Sequence, residues 1–309
     1  MKPRLKPETW ECRVARPGEW SQALKCWFGQ TVDSEQLQSL YFQLEHETGL
    51  ADGLWIADRS GNIDAVAWII PGAEEYVHCW PLRSSIVRSS DQRQQAARHL
   101  WDEVVAEYQR RGTRFFQVNV PIQSAADRNQ MLVIGFKEIA RIMRLRVALD
   151  QPVNEVQSRL VHLEQHHQEG NGLFNELLIE CMSDSLDVPE LNHIQSATRV
   201  AVQYYKPGVE RFFIRHPKRG HLGVMAIQHD GEVGLIRYLG LVPSGRRRGW
   251  GSSALRKAIA YLRQQGCNVV DLRVDARNKP ALALYTGAGF QVIDEESMMI
   301  YLCNNPVAP

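Results

Sequence analysis

Laid over itself at an offset of 154 residues, the chain repeats: Gly266 falls on Gly112, and the Gly289–Phe290 pair falls on Gly135–Phe136. The segments between agree in pattern. QAARHLWDEVVAEYQRRG, ending at Gly112, lies over GSSALRKAIAYLRQQG, ending at Gly266, and the apolar run RFFQVNV lies over NVVDLRV. In the second copy Ala254, Leu255, Ala258, Ile259 and Leu262 keep helical spacing until Gly266 supplies a stop. A fold for this chain must therefore build the same helix, strand and turn twice. At 309 residues the chain also has the size at which one core tends to become two. We expect domains over residues 1–150 and 173–309. Between them, 151–172 reads as a linker, because DQPVNEVQSRLVHLEQHHQEGNG (150–172) is polar and ends in a Gly/Asn cluster.

The second copy carries a further pattern. EVGLIRYLGLV (232–242) is rich in β-branched and aromatic residues and follows the turn triplet HDG (229–231). It reads as the second arm of a hairpin whose first arm is HLGVMAIQ (221–228). Pro243 ends the ladder, since it has no N–H to donate. Between this strand and the helix, LVPSGRRRGWGSSAL (241–255) concentrates arginine and glycine. A helix N-terminus offers unpaired N–H groups and a partial positive charge, and glycine lets an anion reach the backbone. A phosphate fits such a place; a solvated basic loop with incidental glycines is the alternative reading. Beyond the helix, NVVDLRV (268–274) reads as a buried strand, DARNKPALALYTGAG as a loop and short helix opened near Asn278 and Pro280, and FQVI as another strand.

These residues resemble the GNAT superfamily of acyl-CoA-dependent N-acyltransferases. Arg246, Gly249 and Gly251 match its R/Q-x-x-G-x-G/A loop, and Leu239, Leu241 and Pro243 match the LxVxP strand end before it. Asn278, Tyr285, Gly289 and Phe290 match the second signature, an asparagine followed by an alanine-rich helix ending in Y-x-x-x-G-F. The resemblance implies an α/β (α+β) chain of two tandem GNAT domains, each a mixed, mostly antiparallel sheet flanked by helices. That tandem arrangement is similar to the mycothiol synthase family.

The resemblance also implies transfer of an acetyl group from acetyl-CoA, a co-substrate, to an amine by direct attack. The coenzyme A pyrophosphate would lie on backbone N–H groups of residues 246–251, with Arg246, Arg247, Arg248, Gly249, Trp250, Gly251 and Ser252 around it. Leu239, Leu241 and Asn278 would complete the cofactor site, the Leu241 N–H serving as oxyanion donor where the pantetheine arm pairs with the strand edge. Tyr285 would protonate the leaving thiolate. Family members often place a glutamate on the strand before the loop, but Leu235 stands there, leaving Glu232, Tyr238, His221 or a water chain as base. A non-catalytic acyl-CoA sensor is the competing reading.

The first copy lacks this chemistry. At the same offset Arg246 becomes Gln92, Gly249 becomes Gln95, Gly251 becomes Ala97, Pro243 becomes Ser89 and Tyr285 becomes Met131. Its expected role is structural, with an altered ligand site as the alternative.

Thirty-six basic against thirty-five acidic residues give a net charge of +1, which argues against a nucleic-acid partner and against an anionic membrane. Six cysteines without a CxxC pair fit free thiols in a reduced compartment, and the longest apolar run, AVAWII at 65–70, is strand-length; the expected location is the cytoplasm. His162 and His166, with His167 alongside, make a metal site conceivable, but a solvated helix surface is the preferred reading and no metal is expected. The acidic stretch LFNELLIECMSDSLDVPEL (173–191) looks like the two short helices that line the acceptor side in GNAT proteins; a solvated helix face is the default reading of its charge, though such a surface would also attract an amine cation. The partner that the resemblance implies is a small-molecule or peptide amine of unspecified identity, and the sequence sets no oligomeric state.

Overall fold

A computed structural model describes residues 10–28, 38–40, 44, 51–70, 75–85, 89–149, 160–167, 172–194 and 203–303. The chain forms two compact units, one of residues 1–139 with 297–309, the other of residues 140–296. These bounds differ from the sequence boundaries at 150 and 173. Residues 142–148 pair strand to strand with 269–275, which puts them in the second unit, while 297–309 return to the first. Most of the expected linker, 151–159 and 168–171, lies outside the described residues.

The first unit runs β1 (Glu11–Val14), α1 (Trp20–Phe28), β2 (Leu54–Arg59), β3 (Asn62–Ile70), β4 (Tyr76–Cys79), β5 (Arg83–Ser84), α2 (Ser90–Arg110), β6 (Phe115–Pro121) and α3 (Ala125–Val133). Its sheet order is β1-β2-β3-β4-β6, and the end of a long last strand, β13 (Gln291–Leu302), closes it beside β6. The apolar stripe of α2, Ala96, Ala97, Leu100, Trp101 and Val104, is fully buried over Phe116, Val118, Val120, Phe136 and Met299. Tyr301 completes this core, its ring 5.5 Å from Trp101 and 5.6 Å from Phe136.

The second unit takes up β7 (Lys137–Ala148) from residue 140, then β8 (His162–His166), α4 (Gly172–Met182), β9 (Val209–His216), β10 (Gly220–Asp230), β11 (Val233–Leu241), α5 (Trp250–Gln264), β12 (Val269–Asp275) and α6 (Lys279–Thr286). The sheet order is β7-β12-β11-β10-β9-β8, antiparallel throughout except for the parallel β11–β12 pair. On one face α5 buries Leu255, Ala258, Ile259 and Leu262 against Leu145, Ile236 and Leu272. On the other, α4 buries Phe174, Leu177, Leu178 and Cys181 against Phe213, Val224 and Ala226. Each large aliphatic or aromatic side chain so removed from water contributes about 1.5–3 kcal/mol. The mixed, mostly antiparallel sheet flanked by helices is the one expected.

Two local expectations need correction. His162 and His166 sit on strand β8, not on a helix; four residues of strand separate them by about 13 Å, too far to share an ion. His166 is buried, its ring 5.8 Å from Phe174. FQVI is only the start of a strand of 12 residues. The six cysteines are free thiols, as expected, four of them buried.

Two features of β11 position the site. Its pairing with β12 runs from Val233↔Val269 to Ile236↔Leu272 and stops, so the two parallel strands part beyond residue 236. Its pairing with β10 slips between Ala226↔Tyr238 and Ile227↔Ile236, which makes Arg237 an extra, bulged residue. Such bulges bend a strand and re-aim the residues beyond them.

Candidate active site

The arginine and glycine cluster lies where the sequence puts it, between β11 and α5. Gly249 is the residue before the helix and adopts φ +77°, a conformation that L side chains avoid. Gly249 has no side chain with which to cap this end. The Ser253 N–H donates to the Gly249 carbonyl at 3.1 Å, so the N–H groups of Trp250, Gly251 and Ser252 precede the helix ladder. Arg247, also at positive φ (59°), and Arg248 are exposed beside them. A Cβ on Gly249 would meet nothing within 4 Å, which leaves the approach to the backbone open.

The three arginines are not equivalent. Arg246 donates from Nη2 to the carbonyls of Cys181 (2.9 Å) and Ser183 (2.8 Å), and from Nε to Leu241 (3.0 Å). It therefore satisfies orphan carbonyls at the C-terminal end of α4 and ties that end to the loop. Arg248 Nε bonds the Ser244 carbonyl and its guanidinium lies 5.6 Å from the Trp250 ring. The Trp250 side chain is buried, 5.3 Å from the His216 ring, so only its backbone faces outward.

A cavity of about 460 Å³ opens where β11 leaves β12. Its walls include Leu239, Leu241, Arg246, Arg247, Asn278 and Tyr285, and thus unite six of the expected residues. Arg248, Gly249, Trp250, Gly251 and Ser252 lie outside this lining, at the helix end described above. Val242 N–H bonds the Leu222 carbonyl on β10 at 2.9 Å. Strand alternation then turns the N–H groups of Leu241 and Leu239 the other way, toward the gap that β12 has vacated. The Leu241 carbonyl obeys the same alternation and accepts from Arg246.

Asn278 caps α6, its side chain accepting from the Ala281 N–H at 3.2 Å. Capping aims the helix so that Tyr285, its one buried residue, faces the cavity. Burial raises the Tyr285 phenol above its ordinary value, and the charge of Asp187 raises it further, so the hydroxyl stays protonated. Of the possible bases Glu232, His221 and Tyr238, only Tyr238 lines the cavity, and burial raises it well above an ordinary phenol. It therefore keeps its own proton.

The sequence reading missed Asp187, which it took as part of an acidic surface. Asp187 lines the cavity, and its Oδ1 accepts the Asp275 N–H at 2.8 Å. Crowding by the cavity walls raises this carboxyl above the ordinary range although the residue keeps exposed surface; the charge of Asp275 adds to the rise and the Asp275 N–H offsets part of it. Asp275 is fully buried and accepts the Val188 N–H (3.2 Å) and Arg277, which also grips Glu190 at 2.6 Å. This clamp holds the 184–190 segment against the end of β12. Val188 is held at φ +44°, costly for a β-branched residue. Such a clamp joins residues far apart in sequence, which no local motif records.

The first unit is built otherwise at the matching helix. Ser89 caps α2 with its own hydroxyl, which accepts the Gln92 N–H at 3.4 Å. At the same offset α2 and α5 end together, but α2 has 21 residues against 15 and begins six residues earlier, so Gln92 and Gln95 lie within a helix where Arg246 and Gly249 stand before one. Met131 is fully buried, and its sulfur accepts the Leu82 N–H.

Residues 188–290 match the Acetyltransferase (GNAT) family model. The mycothiol acetyltransferase of Clavibacter sepedonicus is 35% identical over 94 residues, 30% of this chain and 30% of that protein. That of Corynebacterium glutamicum is 38% identical over 74 residues, 24% of this chain and 25% of that one. The matches thus span less than a third of these relatives. A GCN5-related N-acetyltransferase from Sphaerobacter thermophilus superposes with a TM-score of 0.66 at 14% identity, covering 99% of both chains. A tandem GNAT protein from the clavulanic acid biosynthesis pathway gives 0.58 at 11% identity, covering 96% of this chain and 99% of that one. At such identities the likeness is one of fold. Among the described residues no helix is long and apolar enough to cross a membrane.

Proposed function

We propose that this chain, a member of the GNAT superfamily, is an N-acetyltransferase that moves the acetyl group of acetyl-CoA to an amine by direct attack. One observation supports the reading: the cavity lined by Leu239, Leu241 and Tyr285 reaches Arg246 and Arg247, a few residues before the N-terminus of α5. The helix end and Arg247 take the pyrophosphate. Leu239 and Leu241 N–H groups take the pantetheine amide and the thioester oxygen, which gains negative charge as the amine nitrogen bonds to the carbonyl carbon. Asp187 accepts the ammonium proton. The C–S bond then breaks, and Tyr285 gives its proton to the departing thiolate. Cys181 also lines the cavity, but burial pushes its thiol up to about 12, which disfavours a thiolate and with it an acyl-cysteine intermediate.

In the same reading the first unit is non-catalytic. Ser89 occupies the helix end that would hold phosphate, and Met131 has no proton to give. Calorimetry with acetyl-CoA tests the assignment. Wild-type protein should bind and Gly249→Gln should not, because a side chain at φ +77° costs about 1–2 kcal/mol in backbone strain and shields the N–H groups. Equal affinity in the variant would remove this loop from the site. Thiol release with an amine panel then separates an enzyme from an acyl-CoA sensor.

A further inference from the structure

Beside the cavity, on the sheet face away from α5, lies a second hollow of about 410 Å³ lined by Arg144, Tyr204, Leu235, Arg237, Asp271 and Arg273, among others. Ile236, Arg237 and Arg273 line both hollows, so the two communicate at the point where β11 and β12 part. The second hollow is basic by construction. Arg144 on β7 stands directly opposite Arg273 on β12 in the ladder, and Arg237 is the bulged residue of the next strand. Like charges in register on paired strands repel, and nothing in the sheet requires them there.

The neighbouring carboxylates do not cancel this charge. Asp271 is held by Arg146 in a two-pronged pair, at 2.6 and 2.8 Å. Among the described residues Arg273 has one carboxylate, Glu296, at 3.5 Å. Arg237 donates to the neutral amide of Gln228 at 2.8 Å. Arg144 Nε is buried without a hydrogen-bond partner, and among the described residues its guanidinium has no carboxylate. Tyr204 forms the remaining polar wall. Three guanidiniums on three adjacent strands, one with an unspent buried donor, form a receptor for an anion. The coenzyme's phosphates are accounted for elsewhere, at the N-terminal end of α5.

We propose that the acceptor amine itself carries an acidic group, a carboxylate or a phosphate, which seats on Arg144, Arg237 and Arg273 while its amine points toward Asp187 and the thioester. This rests on the acetyltransferase reading and deepens it. Charge of both signs then lines the path, arginines for the acid and Asp184 and Asp187 for the ammonium, so a small zwitterion is the substrate class.

Matched acceptor pairs test it in thiol-release assays on the full chain: β-alanine against β-alaninamide, O-phosphoethanolamine against ethanolamine, and glucosamine 6-phosphate against glucosamine. The acidic member of at least one pair should have a kcat/KM about tenfold or more above its neutral partner, and which pair responds distinguishes carboxylate from phosphate. Arg144→Gln and Arg273→Gln should each raise KM for that acidic acceptor about tenfold, with KM for acetyl-CoA unchanged. Neutral members equal to their acidic partners, or variants that raise KM for acetyl-CoA alone, would overturn the proposal. A binding arm keeps the two readings apart if no amine is turned over. Millimolar inorganic phosphate should raise the melting temperature of the Gly249→Gln protein, and adding Arg144→Gln and Arg273→Gln should abolish that rise. No rise at all would sink the anion seat, whereas failure of acetyl-CoA to bind wild-type protein would sink the acetyltransferase reading.

Discussion

Replacing Tyr285 by phenylalanine removes one oxygen and keeps the ring in place 5.9 Å from Phe290. Turnover should fall about 10²- to 10⁴-fold while calorimetric affinity for acetyl-CoA stays within twofold; unchanged turnover under chemistry-limited conditions would assign the residue to packing. Asp187 makes a pH prediction. As a base it works ionised, so the rate should decline on acidification through a pKa above the ordinary carboxylate range. In Asp187→Asn that limb of the profile should vanish along with most activity. The sign for stability is opposite. A raised pKa means that the folded state holds the proton more tightly, so this group's contribution to stability is present below the unfolded pKa and lost as pH rises through the folded one. Tyr285 was legible in the sequence because its signature is local. Asp187 was not, since its character comes from Asp275 and the clamp around Arg277, which no spacing records.

At the level of elements, the strand–loop–helix of the second copy was readable because each boundary is marked by a residue with one conformational use: Pro243, Gly249 and Gly266. The contrast with the first copy was only half readable. The offset showed which residues change, but not that six further residues of helix replace the loop, because the polar stretch SDQRQQ carries no apolar stripe to mark it as helix. The parting of β11 from β12 was equally hidden. Gly223 offers a test of that geometry. A Cβ there would sit 2.0 Å from the Gly240 carbonyl oxygen, on the strand whose other edge faces the cavity. Gly223→Ala should force β10 from β11 at residues 240–241, cost about 1–3 kcal/mol in urea unfolding, and weaken acetyl-CoA binding in proportion. Full stability would show that the strands yield without strain.

For the molecule as a whole, two copies were visible, but the residues that make up each unit were not. Pairing between distant segments is a matter of register and partner, and β13 reads the same in sequence whichever sheet receives it. Ending the chain at residue 296 should therefore damage the unit that begins at the N-terminus. Met299, Tyr301 and Cys303 would be missing from the core around Trp101 and Phe136, and one calorimetric transition, that of the first unit, should shift down or disappear, while acetyl-CoA binding by the second unit persists. An unaltered first unit would refute that partition. The return of residues 297–309 also sets a schedule for synthesis. The ribosome supplies residue 297 a full 158 residues after residue 139, about 8 to 32 s at ordinary translation rates. During that interval β6 waits with one unclaimed edge, a nascent surface open to chaperones and to mispairing, so the first part of the chain to be made is among the last to be finished.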